Sequence, residues 1–133
     1  MLALLLPTLP GCNATPTTGA VRGAGEVAPC PAAINHVVLF SLTDADEAEA
    51  LIADCESLLA PMPEVISFFV GQHVDVGRDS PAIQRDYHVG LYVGFADTDA
   101  YARYVDHPDH LELVDRWGAK LESLRVYDIH DAR

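Results

Sequence analysis

In the segment Ile34-Asn-His-Val-Val-Leu-Phe-Ser-Leu42, β-branched and other apolar residues dominate, which is typical of a strand. Its even-numbered positions, from Ile34 through His36 to Leu42, lie on one face of an extended chain because side chains alternate along a strand. Three later segments show the same strand character, namely Val65–Val74, Tyr87–Phe95 and Leu124–His130. The sequence therefore predicts four strands.

Helical patterns separate these strands. After a cap at Asp44 or Asp46, an apolar stripe with helical spacing continues until Pro61-Met62-Pro63 ends it. Asp97 caps a second, short helix that reaches about residue 106. The next break is His107-Pro108, because the residue before a proline is disfavoured in a helix.

A third helix is predicted from about residue 109 to residue 121, with Leu111, Val114 and Leu121 on its apolar side. The resulting order is βαββαβ with an extra helix before the last strand. This order predicts an α+β protein of the ferredoxin-like type, in which a four-stranded antiparallel sheet carries its helices on one face.

The predicted strands are apolar on both faces, although the helices can cover only one face. A second copy of the chain is the simplest cover for the other face, so we expect a homodimer that forms through the sheet. The third strand places Gly90 and Gly94 together on one face, which indicates close approach of another backbone or helix.

Composition limits the classes of function. The 133 residues suffice for one domain, and 50% of them are hydrophobic, so the chain can bury a core. Eight Lys and Arg residues against twenty Asp and Glu residues give a net charge of −12, which disfavours binding to nucleic acids and to anionic membrane surfaces. Three cysteines are too few for a disulfide framework or a four-ligand zinc site.

Residues 1–30 differ from the rest, so we expect the domain to span 31–133. The chain starts with the apolar stretch Met1–Leu6, and Leu9-Pro10-Gly11-Cys12 resembles a bacterial lipobox. This pattern predicts a signal segment and export, with lipid on Cys12 anchoring the protein to a bacterial membrane on its periplasmic or exterior side. The alternative is a disordered extension on a cytoplasmic protein.

Histidine and tyrosine carry the candidate chemistry. Six histidines could supply metal ligands, but His107 and His110 lack a third ligand of fixed spacing, so we predict no metal. We also predict no cofactor, because phosphate-binding glycine loops and Cys-x-x-Cys motifs are absent from the sequence. An imidazole can act as a general base at neutral pH, and a Tyr hydroxyl can donate to a developing enolate oxygen.

Several segments together resemble the stress-responsive dimeric α/β-barrel (Dabb) family. They are His36-Val-Val-Leu-Phe40, Tyr87–Phe95, Tyr104-Val-Asp-His-Pro-Asp-His110 and Val126-Tyr-Asp-Ile129. The resemblance covers nearly the whole predicted domain and implies a homodimer whose two sheets face each other.

One branch of that family, the plant polyketide cyclases, performs a cofactor-free aldol cyclisation. The resemblance implies that Tyr104 and His110 are the catalytic pair and that His36 lines the pocket. A further pocket histidine of that branch is replaced here by Val89. We expect ligand contacts from His36, Val89 and two neighbours of the motifs, Phe40 and His107.

The leading interpretation is a stress-response-type protein that binds an apolar or aromatic small molecule in its barrel pocket. The alternative is a cofactor-free lyase or polyketide-cyclase-like enzyme that uses the Tyr and His pair. A haem-degrading monooxygenase and a purely structural dimer come third, because fold alone does not establish function. The sequence leaves binding and catalysis open.

Overall fold

Strand β1 lies inside the sheet, between two other strands. The structure, a computed structural model, describes residues 32–131. Its strands are β1 Ile34–Leu42, β2 Val65–Gln72, β3 Val89–Phe95 and β4 Leu121–His130. They form one sheet in the order β2-β3-β1-β4, and every neighbouring pair is antiparallel. The predicted α+β, ferredoxin-like fold is confirmed.

Three α-helices connect the strands, and their caps explain where they start. They are α1 Ala48–Leu58, α2 Thr98–Val105 and α3 Pro108–Gly118, and a short 3-10 turn, Ala45–Glu47, precedes α1. Asp97 caps α2 by accepting a hydrogen bond from the Ala100 amide at 2.7 Å. His107 caps α3: its Nδ1 accepts a hydrogen bond from the Asp109 amide at 3.2 Å.

Some element boundaries differ from the predictions. Strand β2 ends two residues early and β3 begins two residues late, so the connection between them is longer than expected. Strand β4 begins at Leu121, where we predicted helix. The Lys120 amide donates to the Trp117 carbonyl at 2.8 Å, and this turn after Gly118 leads the chain directly into β4.

The helices cover only one face of the sheet, called here the helix face. Alternate residues of β1 and β3 point to it, and the buried ones are Ile34, His36, Val38, Phe40, Val89, Leu91, Val93 and Phe95. The opposite face, called the outer face, keeps large apolar side chains in solvent: Phe69 is 65% exposed and Ile129 is 56% exposed. The alternation predicted for β1 therefore separates core from surface.

The two glycines of β3 differ in how closely the rest of the chain approaches them. A Cβ on Gly94 would lie 2.2 Å from the Ser67 hydroxyl and 2.9 Å from the Tyr92 hydroxyl. At Gly90 the nearest atom, from Leu39, would be 3.7 Å away. Of these two glycines, only Gly94 is crowded within residues 32–131, by the side chains of Ser67, Ala32 and Tyr92.

The predicted apolar side of α3 is wrong. Leu111 and Val114 are each 53% exposed, whereas Leu113 and Trp117 are buried. The cap at His107 and Pro108 in the first turn fix the rotation of α3 about its own axis, and so decide which of its residues face the sheet. Consequently His110, Leu113 and Trp117 share the inward side of the helix.

The predicted extension at 1–30, with its lipid attachment at Cys12, lies outside the described residues. Between residues 32 and 131, no helix is both long enough and apolar enough to cross a bilayer.

Candidate functional site

A cavity of about 360 Å³ lies between the helix face of the sheet and the helices α2 and α3. Its walls are apolar apart from four side chains, those of His36, Tyr101, Tyr104 and His110. The apolar walls come from Val38, Phe40, Leu59, Leu91, Val105, Leu113, Val114, Trp117, Gly118, Leu121, Leu124 and Val126. A concave apolar space with a few polar groups is the usual form of a small-molecule site.

The predicted site residues divide into two groups. His36, Phe40, Tyr104 and His110 all line the cavity. Val89 faces the same side of the sheet, but it is fully buried and lies outside the cavity wall. His107 is also outside the wall, because its ring is engaged as the cap of α3.

Tyr104 and His110 meet where α2 passes into α3. Their ring centroids are 4.7 Å apart. Tyr104 is 1% exposed, and its hydroxyl has no hydrogen-bond partner within residues 32–131. Burial, with a smaller effect from the neighbouring Cys55 and Tyr101, raises the pKa of Tyr104 above its ordinary value. The hydroxyl therefore stays protonated and is available as a donor.

Backbone geometry fixes the tautomer of His110. Its Nδ1 lies 2.9 Å from the Val105 carbonyl oxygen, which can only accept, so Nδ1 carries the proton and Nε2 is the basic nitrogen. Burial lowers the pKa of His110, although the hydrogen bond to Val105 opposes this effect. The imidazole is therefore neutral at physiological pH, as a general base has to be.

A second imidazole is held by a carboxylate from the edge strand. In the antiparallel register of β1 and β4, His36 lies opposite Asp128, and His36 Nδ1 donates to Asp128 Oδ1 at 2.6 Å. The Tyr101 hydroxyl donates to Asp128 Oδ2 at 3.1 Å. Burial, followed by the contact with Asp128, raises the pKa of Tyr101 to about 12. These contacts fix the orientation of the His36 ring.

The aromatic rings connect the two imidazoles. The His36 ring centroid lies 6.0 Å from that of Tyr104 and 5.3 Å from that of Tyr101. Phe95 packs against both tyrosines, with centroid distances of 5.2 Å and 4.8 Å. The Tyr104 hydroxyl and two imidazoles thus share one end of an otherwise apolar cavity.

Trp117 lines the cavity about two helical turns beyond His110 on α3. Its Nε1 donates to Asp54 Oδ2 at 2.8 Å, and Arg116 donates to Asp54 Oδ1 at the same distance. Asp54 thereby ties α1 to α3. Because Trp117 belongs to α3, this contact between the two helices also holds the Trp117 part of the cavity wall in place.

Tyr101 and Asp128 were missed by the sequence reasoning. Tyr101 could have been found from its helical spacing of three residues from Tyr104, which places both on one side of α2. Asp128 could have been found only from the register that sets it opposite His36. Over residues 32–131, no group of three or more metal-ligating side chains converges.

Comparisons with known proteins agree with this architecture. The family model described as Stress responsive A/B Barrel Domain (Dabb) matches residues 34–131. A solved Dabb-family protein with a ferredoxin-like fold from Mesorhizobium loti is 35% identical, with a TM-score of 0.63 over 75% of this chain and 97% of that one. No curated protein matches the sequence.

Two further solved structures are similar in fold. A dimeric ferredoxin-like protein of unknown function from Thermobifida fusca is 24% identical, with a TM-score of 0.60 over 74% of this chain and 90% of that one. A hydroxynitrile lyase from Passiflora edulis is 16% identical, with a TM-score of 0.65 over 78% of this chain and 97% of that one.

Proposed function

The chain belongs to the stress-responsive A/B barrel (Dabb) family, and we propose that it binds an apolar or aromatic small molecule in the cavity between its sheet and its helices. The observation that carries this proposal is an apolar cavity with Tyr104 and His110 together at one end, where no hydrogen bond within residues 32–131 occupies the Tyr104 hydroxyl. A ligand with an acceptor at this end of the cavity could accept a hydrogen bond from the Tyr104 hydroxyl.

The rim of the cavity offers a matched pair of variants. Val114 and Leu111 are both 53% exposed on α3, but only Val114 lines the cavity. A Trp at position 114 would fill the opening, whereas a Trp at position 111 would change only the outer side of α3. Because both positions are exposed, neither variant should unfold the domain.

Binding can be measured with the neutral fluorescent probe N-phenyl-1-naphthylamine. We expect saturable binding to the parent protein and to Leu111→Trp, and at least a tenfold weaker affinity in Val114→Trp. Equal affinity of the two variants would place the probe elsewhere and would contradict the proposal.

We also propose that the protein is a homodimer formed through the outer face of the sheet. Phe69, Tyr127 and Ile129 are exposed there, and a single domain has nothing to cover them. The Thermobifida fusca protein of the same fold is described as dimeric, which supports this assembly. Phe69→Asp should shift the sedimentation coefficient to that of a monomer, whereas Val76→Asp in the exposed loop after β2 should not. A monomeric parent protein would contradict the proposal.

A second candidate, a cofactor-free lyase or cyclase, is favoured by one observation. The unprotonated Nε2 of His110 and the protonated hydroxyl of Tyr104 belong to adjacent rings. His110 could remove a proton from the carbon next to a carbonyl, forming an N–H bond; the C–H electron pair then forms a C=C bond, and the C=O π pair moves to the carbonyl oxygen. Tyr104 would donate a hydrogen bond to that oxygen. The Passiflora edulis lyase supports this candidate only as an example of lyase chemistry on the fold.

Activity assays on bound compounds would test the second candidate. His110→Ala should lower turnover by about 10²-fold or more, which is the usual share of a general base. Tyr104→Phe should lower turnover less and should preserve binding of the neutral probe. Unchanged turnover in His110→Ala would eliminate this mechanism and leave the binding function in place.

A further inference from the structure

We propose that the molecule bound in this cavity is an uncharged hydroxyl compound with an apolar body, and not a carboxylate or an ether. This inference rests on the proposed binding function and specifies the chemical class of the ligand. Three features of the cavity support it: the polar groups that can still form hydrogen bonds, the charges around the cavity and the length of the cavity.

The polar end of the cavity requires a group that both accepts and donates. Tyr104 offers a hydroxyl without a partner within residues 32–131, so the ligand atom beside it should accept a hydrogen bond. Nε2 is the basic nitrogen of His110, because Nδ1 of that ring donates to the Val105 carbonyl. A ligand atom beside His110 Nε2 should therefore donate a hydrogen bond.

A neutral hydroxyl satisfies both demands with one oxygen. It can accept from Tyr104 and donate to Nε2 of His110, whose ring lies beside that of Tyr104. An ether and a carboxylate can only accept, so either would leave an imidazole nitrogen without a donor. A buried acceptor that loses its partner weakens binding even where the shape of the ligand is unchanged.

Charge also argues against an anionic ligand. No Lys or Arg is among the cavity-lining residues of the described chain. Two basic side chains lie just behind the Trp117 wall, and carboxylates already neutralise them: Arg116 pairs with Asp54, and Lys120 pairs with Glu47. At the polar end, Asp128 adds a negative charge behind His36. An anion would lose its hydration without gaining a counter-ion.

The apolar body of the ligand should reach from His110 to Trp117. These residues are seven positions apart on α3, which corresponds to roughly 10 Å at 1.5 Å per residue. Only apolar residues line the cavity between them on this helix, namely Leu113 and Val114. A fused two-ring aromatic compound with one polar substituent has this length.

Three compounds with the same skeleton test the inference: 2-naphthalenemethanol, its methyl ether and 2-naphthoate. Calorimetric titrations of the full chain at pH 8 should show the alcohol binding about tenfold more tightly than the ether and at least tenfold more tightly than the carboxylate. In His110→Phe, the alcohol should lose most of its advantage over the ether, whereas Tyr104→Phe should weaken both by similar factors, because either oxygen can accept from the Tyr104 hydroxyl. Leu111→Trp should retain the parent order of affinities.

The outcomes separate this inference from the function on which it rests. In one outcome, the probe binds the parent protein at least tenfold more tightly than it binds Val114→Trp, but the ether or the carboxylate binds with the same affinity as the alcohol. The hydroxyl assignment is then overturned, and the binding site stands. If neither the probe nor the alcohol binds the parent protein, the binding function falls, and the hydroxyl assignment falls with it.

Discussion

Removing the carboxylate of Asp54 should destabilise the fold more than its partly exposed position suggests. Asp54 lies on α1 and accepts hydrogen bonds from Trp117 and Arg116 of α3, each at 2.8 Å. Trp117 is 3% exposed, so its indole N–H is cut off from bulk water. In Asp54→Ala that N–H loses its acceptor, whereas the guanidinium of Arg116 keeps its second partner, Glu112.

The magnitude follows mainly from the indole. A buried donor that loses its acceptor costs about 1–3 kcal/mol, so we expect about 2 kcal/mol for Asp54→Ala. At roughly 4–8 °C per kcal/mol for a domain of this size, the melting temperature should fall by about 10 °C. Asp54→Asn should be milder, because its amide oxygen can still accept from Trp117.

Urea unfolding followed by far-ultraviolet circular dichroism would measure the change in the free energy of unfolding. Glu112→Ala is the matched control, because it removes the other carboxylate partner of Arg116 and leaves the indole bond intact. It should stay within about 0.5 kcal/mol of the parent protein. If Asp54→Ala is no less stable than Glu112→Ala, the indole bond does not hold α3, and our account of the Trp117 wall is wrong.

Three further predictions concern the cap of α2, the buried thiol and the buried imidazole. Asp97→Ala should cost about 0.5–2 kcal/mol in thermal unfolding, whereas Asp97→Ser should retain most of the cap. Burial, together with Asp54 and Glu56, raises the pKa of Cys55 to about 12. In a Cys12→Ser, Cys30→Ser variant, this thiol should therefore react with Ellman's reagent at pH 8 only as fast as the protein unfolds locally. Rapid labelling of the folded protein would contradict that. Burial lowers the pKa of His110, so the unfolded chain binds its proton at higher pH than the folded chain does. The stability contributed by neutral His110 should be present above about pH 6.5 and lost as pH falls below it, and His110→Gln should flatten this dependence in urea titrations from pH 8 to pH 5.

The fold could be predicted because its strongest signals are local. The alternation from Ile34 to Leu42 defines both faces of β1, and Asp97 marks the start of α2, as predicted. The orientation of α3 could not be predicted from its apolar residues. Leu111 and Val114 form a plausible apolar side, but the His107 cap and the bond between Trp117 and Asp54 turn Leu111 to solvent and place Val114 at the rim of the cavity.

The candidate site was only partly accessible from sequence. Tyr104 and His110 lie six residues apart, so a short motif can indicate them. His36 and Asp128 are 92 residues apart, and their contact depends on the register between two strands. A shift of one residue in that register would move Asp128 to the outer face. Such long-range pairing leaves no periodic trace in the sequence, so the carboxylate partner of His36 had to come from the structure.

The place of β1 in the sheet has a consequence for how the protein is made. The ribosome produces β1 first among the four strands, but β1 lies between β3 and β4, and β4 emerges last. During most of synthesis, one edge of β1 is therefore unpaired. His36 also lacks its partner, because Asp128 belongs to β4. Nascent chains with unpaired apolar strands are prone to aggregate, so folding should be largely post-translational and this interval the most sensitive to chaperones. A chain truncated within β4 should accordingly be degraded or aggregate, and not persist as a weaker binder.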